Sequence, residues 1–72
     1  MKKKNKIKIK LNGKIITVDK GINLHNILNK LKFSLNKIAI EKNNLIVEKK
    51  KIKKIYLKSN DKIEIVHFIG GG

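Results

Sequence analysis

Cysteine, proline, tryptophan and arginine are all missing from this chain, and aromatic residues make up 4% of it. Each absence closes a door. Without cysteine there is no disulfide, no thiolate metal site and no cysteine nucleophile. At 72 residues and unstapled, a fold must rest on regular secondary structure and aliphatic packing. The 40% apolar content is enough for one small core and leaves no room for a second domain. All 19 basic residues are lysine, against five acidic ones, which gives a net charge of +14. Such a charge attracts polyanions. Yet the planar arginine fork that reads phosphates and guanine edges is absent, and so are most of the aromatic platforms on which bases stack. The abundance of Lys, Ile and Asn is what an A+T-rich gene yields, so no specific nucleic-acid partner is expected. Against that same bias, three consecutive glycines at the end of the sequence are hard to attribute to drift.

Long apolar runs are missing too. Met1-Lys2-Lys3-Lys4 resembles the basic start of a signal peptide, but Lys6, Lys8 and Lys10 interrupt the isoleucines that follow. No stretch approaches the length of a membrane span, and the expectation is a cytoplasmic, soluble protein with no membrane partner. Catalytic constellations are equally scarce. Asp19, Glu41, Glu48, Asp61 and Glu64 are scattered along the chain, and none is spaced as a carboxylate pair on one helix. No G-x-x-x-x-G-K loop occurs, and no Ser–His–acid set is evident. His25 and His67 lie far apart without neighbouring ligand types, so no metal site is expected. The composition argues against an enzyme.

What is present is a strong pattern of elements. Residues 6–11 alternate Lys-Ile-Lys-Ile-Lys-Leu, which puts Ile7, Ile9 and Leu11 on one face of a half-buried strand. Asn12-Gly13 is a hairpin turn signal, and β-branched Ile15 to Val18 make the returning strand. Asn23 suits an N-cap, ahead of a helix in which Leu24, Ile27, Leu28 and Leu31 recur at i, i+3, i+4 and i+7. Residues 37–41 read as a third strand, Asn43-Asn44 as a turn, and 45–47 as a short fourth strand. Residues 48–58 are lysine-rich and read as a solvated loop or short turn, pinned to the core by Ile52, Ile55, Tyr56 and Leu57. Ser59-Asn60-Asp61 is turn chemistry, and the last strand begins at Lys62. The order β-β-α-β-β-β, with a right-handed crossover, places the last strand beside the first. The expected fold class is α+β: a β-grasp, ubiquitin-like roll. A mixed sheet of four to five strands carries one main helix across one face. Residues 1–72 form one domain, of which 70–72 are a flexible glycine tail.

The last strand runs into His67-Phe68-Ile69-Gly70-Gly71-Gly72. Glycine has no Cβ, so a glycine tail is thin and conformationally free. A carboxylate at its end can be threaded down a confined channel and activated with ATP as a mixed anhydride to AMP, a reach that bulky residues at the penultimate positions would obstruct. Strand parity puts Ile63, Ile65 and His67 on the core side, with Glu64, Val66 and Phe68 on the opposite face. Val66 and Phe68 are then apolar contacts for a partner; the competing reading packs Phe68 against the end of the core.

Three features together resemble the sulfur carrier proteins of thiamine biosynthesis, the ThiS family. They are the element order, the Asp61 turn before Ile63-Glu64-Ile65-Val66, and the terminal Phe68-Ile69-Gly70-Gly71-Gly72. The resemblance spans nearly the whole chain, with its specific part in the last ten or so residues. It implies a carrier and not an enzyme: the Gly72 carboxylate is adenylated by a ThiF-like adenylyltransferase and converted to a thiocarboxylate. That species gives its sulfur to a ThiG-like thiazole synthase, which builds the thiazole ring. A desulfurase or sulfurtransferase supplies the sulfur, ATP is used by the adenylating partner, and the chain itself binds no cofactor. On this resemblance Gly72 is the attachment site and Gly71 completes the required pair, while Val66, Phe68, Ile69 and Gly70 meet the partner. The carrier of molybdopterin synthesis shares the fold and the Gly-Gly end but approaches its glycines through proline, which this chain lacks. A ubiquitin-like modifier is a further alternative in the same class, and a small basic nucleic-acid-binding domain is one from another. The lysine content departs from the family pattern.

Overall fold

A computed structural model describes residues 5–68. Met1–Lys4, Ile69 and the expected glycine tail of residues 70–72 lie outside the described residues.

The N-terminal hairpin forms as its alternation dictates. Strands β1 (Lys6–Leu11) and β2 (Lys14–Asp19) pair antiparallel with Ile7 opposite Val18 and Ile9 opposite Ile16. Asn12 and Gly13 turn the chain with φ of 50° and 83°, the left-handed pair that a two-residue hairpin requires.

Helix α1 (Leu24–Lys30) starts where its cap predicts: the Asn26 N–H donates to Asn23 Oδ1 at 2.7 Å. Leu24, Ile27 and Leu28 are buried. Leu31, expected to extend that stripe, is 45% exposed and is the C-cap. The reason lies in the following turn. Lys32 adopts φ 63°, its N–H donates to Asn29 O, and the Phe33 N–H donates to Leu28 O, each at 3.0 Å. This pair of bonds is a Schellman ending built on lysine instead of glycine, and it stops the helix before Leu31 can face inward.

Strand β3 (Ile38–Lys42) lies one residue later than expected, and β4 (Leu45–Ile46) is a two-residue strand beyond the Asn43-Asn44 turn. Val47, expected within the fourth strand, falls just outside it but still donates its N–H to Ile40 O at 2.9 Å. The lysine-rich segment contains a 3-10 helix, Lys49–Lys54. Ile52 and Leu57 are buried as pins and Ile55 packs against the core, whereas Tyr56 is 57% exposed. Tyr56 is held by its backbone instead, in a bridge to Asn23. Flanking bonds from Leu24 N–H to Ile55 O and from Leu57 N–H to Ile22 O leave its ring outside.

Strand β5 (Lys62–His67) completes one mixed sheet of order β2-β1-β5-β3-β4. It runs parallel to β1 and antiparallel to β3. The last strand is therefore central and lies beside the first, as expected. Ile9, Ile38, Ile40, Ile63 and Ile65 line one sheet face and are buried with Leu24, Ile27, Leu28, Ile52 and Leu57. The core is entirely aliphatic, which suits a chain without cysteine or tryptophan. The other sheet face is left open: a β-grasp roll.

Candidate functional site

The site begins at the base of β5. Asp61, 7% exposed, accepts from the Lys58 N–H at 2.8 Å and from Asn43 Nδ2 at 3.0 Å, with Lys42 Nζ at 3.9 Å. Its carbonyl accepts from the Lys10 N–H at 2.9 Å. Two turn asparagines then brace the strand from either side. Asn43 Oδ1 accepts from the Lys62 N–H at 2.8 Å. Asn12 Oδ1 accepts from the Ile65 N–H at 2.7 Å, while the Asn12 N–H donates to Ile63 O at 2.9 Å. Both asparagines sit at positive φ. Each therefore tolerates a left-handed turn and offers a side-chain acceptor, which glycine could not. The sequence marks them as turn residues; their second task at β5 is invisible without the tertiary pairing. The one hint was the choice of Asn over Gly at those turns.

Beyond Ile65 the surroundings change. Pairing of β5 to β1 covers Lys62 and Ile63 opposite Lys10 and Leu11, whereas pairing to β3 continues to Ile38 opposite His67. The Asn12 side chain takes the Ile65 N–H where the hairpin turns away. The distal half of β5 is thus held by one strand, and the Phe68 N–H adds a last bond to Lys37 O at 2.9 Å. Here Val66 is 62% exposed and Phe68 52%. The Phe68 ring lies outside the core, with Lys49 Nζ 5.5 Å from its centroid. Of the two readings of Phe68, packing into the end of the core is the one the structure rejects. His67 shares the side of buried Ile38 and meets the Phe33 ring at 5.6 Å. The expected parity holds.

The open face has members that the sequence did not single out. Ile46 pairs with Glu41, Glu41 with Glu64, and Ala39 with Val66. Cross-strand partners project on one side, so Ile46, 81% exposed, joins the Glu64–Val66 face. No sequence signal marks it, because β4 is too short to show alternation. Ile69, Gly70, Gly71 and Gly72 lie outside the described residues.

The described residues hold no group of three or more His, Asp or Glu side chains placed to bind a metal, and no helix long and apolar enough to cross a membrane. Their one buried carboxylate, Asp61, is committed to its hydrogen bonds. What the geometry offers is a braced strand whose last residues present an apolar, partly acidic surface and point the chain onward.

Comparison with known proteins bears on that arrangement. Residues 5–72 match the model of the ThiS family. An uncharacterised protein, ycf40, of Trieres chinensis is 44% identical over 62 residues, covering 86% of this chain and 85% of its own. A thiazole synthase of Magnetococcus marinus is 39% identical over 66 residues, which are 92% of this chain but 20% of that protein. Among solved structures, the thiamine biosynthesis protein ThiS of Geobacter metallireducens superposes with a TM-score of 0.79 at 29% identity. That match covers 92% of this chain and all of the other.

Proposed function

The chain belongs to the ThiS family of small carrier proteins, and from that premise we propose that it carries sulfur on its last residue for thiazole formation in thiamine biosynthesis. A ThiF-like adenylyltransferase binds the distal half of β5, with Val66, Phe68, Ile69 and Gly70 in contact, and admits Gly71-Gly72 to its active site. The Gly72 carboxylate attacks the α-phosphate of ATP, pyrophosphate leaves, and the acyl carbon becomes electrophilic. A sulfide equivalent from a desulfurase or sulfurtransferase then displaces AMP and leaves a thiocarboxylate. That sulfur passes to a thiazole synthase. The carrier supplies no cofactor; ATP belongs to the adenylating partner, and the reactions take place in the cytoplasm.

The observation that carries this reading is the division of β5 into a braced half and a presented half, directly ahead of three glycines. A reaction inside another protein's channel needs a thin tail on a base that does not yield when the partner pulls on it. The thiazole branch draws support from the Magnetococcus marinus protein, in which a segment like this chain occupies one fifth of a thiazole synthase. Joining a carrier to its acceptor raises their effective concentration, which is useful where one passes a reactive group to the other.

The test is intact-mass analysis after incubation with ATP, the adenylating protein of the same organism and a sulfur source. The expected product is heavier by the replacement of one oxygen by sulfur, at the C-terminal glycine. An unchanged mass with a partner shown to be active would refute the carrier reading.

A further inference from the structure

The chain's carboxylates are not treated alike. Asp19 pairs with Lys6 at 2.8 Å, Glu48 with Lys51 at 3.6 Å, and Asp61 with Lys42 at 3.9 Å. Glu41 and Glu64 make no such pair among the described residues, although the chain holds 19 lysines. They stand directly opposite each other on β3 and β5, on the open face of the sheet. Like charges at opposed positions of a ladder destabilise it. Their rung ends at Ile46, and the next rung along β5 is Ala39 and Val66. Ile46 and Val66 are 81% and 62% exposed. The result is two carboxylates edged by the exposed aliphatic side chains of Ile46 and Val66, with Lys62 two residues back on the same face of β5, on a molecule that is otherwise strongly cationic.

We propose that this patch, Glu41 and Glu64 between Ile46 and Val66, is the docking surface for a basic side chain of the adenylating partner, an arginine or lysine bordered by apolar residues. The inference rests on the carrier reading above and says what kind of surface that partner must present. Charge complementarity selects the occupant. The two carboxylates offer nothing to a phosphate group, whereas Lys10 and Lys62 further along the face would attract one, and two carboxylates without a third donor are a poor metal cage. A guanidinium with its fork of donors can bridge both carboxylates, and the flanking Ile46 and Val66 then exclude water from the pair. Continuity supplies the second argument: Val66 lies two residues before Phe68, where the chain leads towards the glycines. A partner seated on the patch therefore has the tail within reach. The surrounding lysines would repel a basic surface placed anywhere else, so the acidic rung also fixes register.

The experiment is ATP–pyrophosphate exchange by the adenylating protein of the same organism, with the full-length carrier as varied substrate. The variants are Glu41→Gln, Glu64→Gln and the double variant, with Asn29→Lys on the exposed side of α1 as a control that adds one positive charge away from the patch. The double variant is expected to raise KM for the carrier roughly tenfold, the loss of about one charge-assisted contact, with kcat little changed. Its melting temperature should be equal to or above that of the wild type, because the opposed charges are gone. Asn29→Lys should leave KM near the wild-type value. A KM for the double variant no higher than that of Asn29→Lys, or a KM change that tracks a lower melting temperature, overturns the docking assignment and leaves the carrier reading standing. No exchange with wild-type carrier and active partner overturns the carrier reading, and the docking assignment with it.

Discussion

The two halves of β5 are built on opposite principles. From Lys62 to Ile65 the strand is enclosed: β1 pairs with Lys62 and Ile63, β3 pairs from Ile63 onward, Ile63 is 0% exposed, and Asn12 and Asn43 satisfy backbone donors at Ile65 and Lys62. From Val66 to Phe68 it has β3 alone, and two of its three side chains are more than half exposed. Within a few residues the chain thus passes from an enclosed position in the sheet to an exposed one. The lesson is mechanical. On the proposed carrier reading, chemistry at the terminus is useful only if the strand behind it stays in place, and the enclosed half of β5 meets that need.

That contrast can be broken at either end, and the effects should differ in kind. Removing Gly72 should abolish thiocarboxylate formation, read by intact mass, while thermal unfolding stays at the wild-type midpoint; a lowered midpoint would mean that the tail helps hold the fold. Ile63→Ala should have the largest effect on stability. Deleting that much fully buried side chain costs about 2–5 kcal/mol, against a total of roughly 4–10 kcal/mol for a chain of this size. A urea titration should show the midpoint collapse. Asp61→Ala strips acceptors from the Lys58 N–H and the Asn43 side chain and should cost roughly 1–3 kcal/mol. Hydrogen exchange should then quicken first at Lys62 and Ile63, since Asn43 would lose the group that orients it. Phe68→Ala should do least to the fold, within about 0.5 kcal/mol, as is usual for exposed positions away from special features. It should still raise KM for the adenylating partner severalfold. An equal stability loss for Phe68→Ala and Ile63→Ala would erase the distinction between the halves.

Much of this was legible in the residues. The alternation in β1, the Asn12-Gly13 turn and the Asn23 cap are local signals, and each formed where its chemistry placed it. The parity of β5 pointed to Val66 and Phe68 as the exposed pair before any contact was known. The failures share a cause. Leu31 fits the helical period, yet the Schellman bonds at Lys32 and Phe33 end the helix at Lys30. Tyr56 is apolar enough to serve as a pin, yet its backbone pairs with Asn23 and its ring stays outside. Ile46 is aliphatic and nearly bare, because β4 lies at the sheet edge on the open side. In each case period and composition gave the preference, and a hydrogen bond or a place in the sheet that only the tertiary structure supplies set the orientation.

The sequence alone determined the element order, the aliphatic character of the core and the absence of cysteine chemistry, because these depend on periodicity and on which side chains exist. Only the tertiary structure decided that Asn12 and Asn43 brace the central strand, that Phe68 stays out of the core, and that Glu41 faces Glu64 beside Ile46. Those facts depend on register between strands far apart in the chain, and a shift of one residue would send every one of these side chains to the other face.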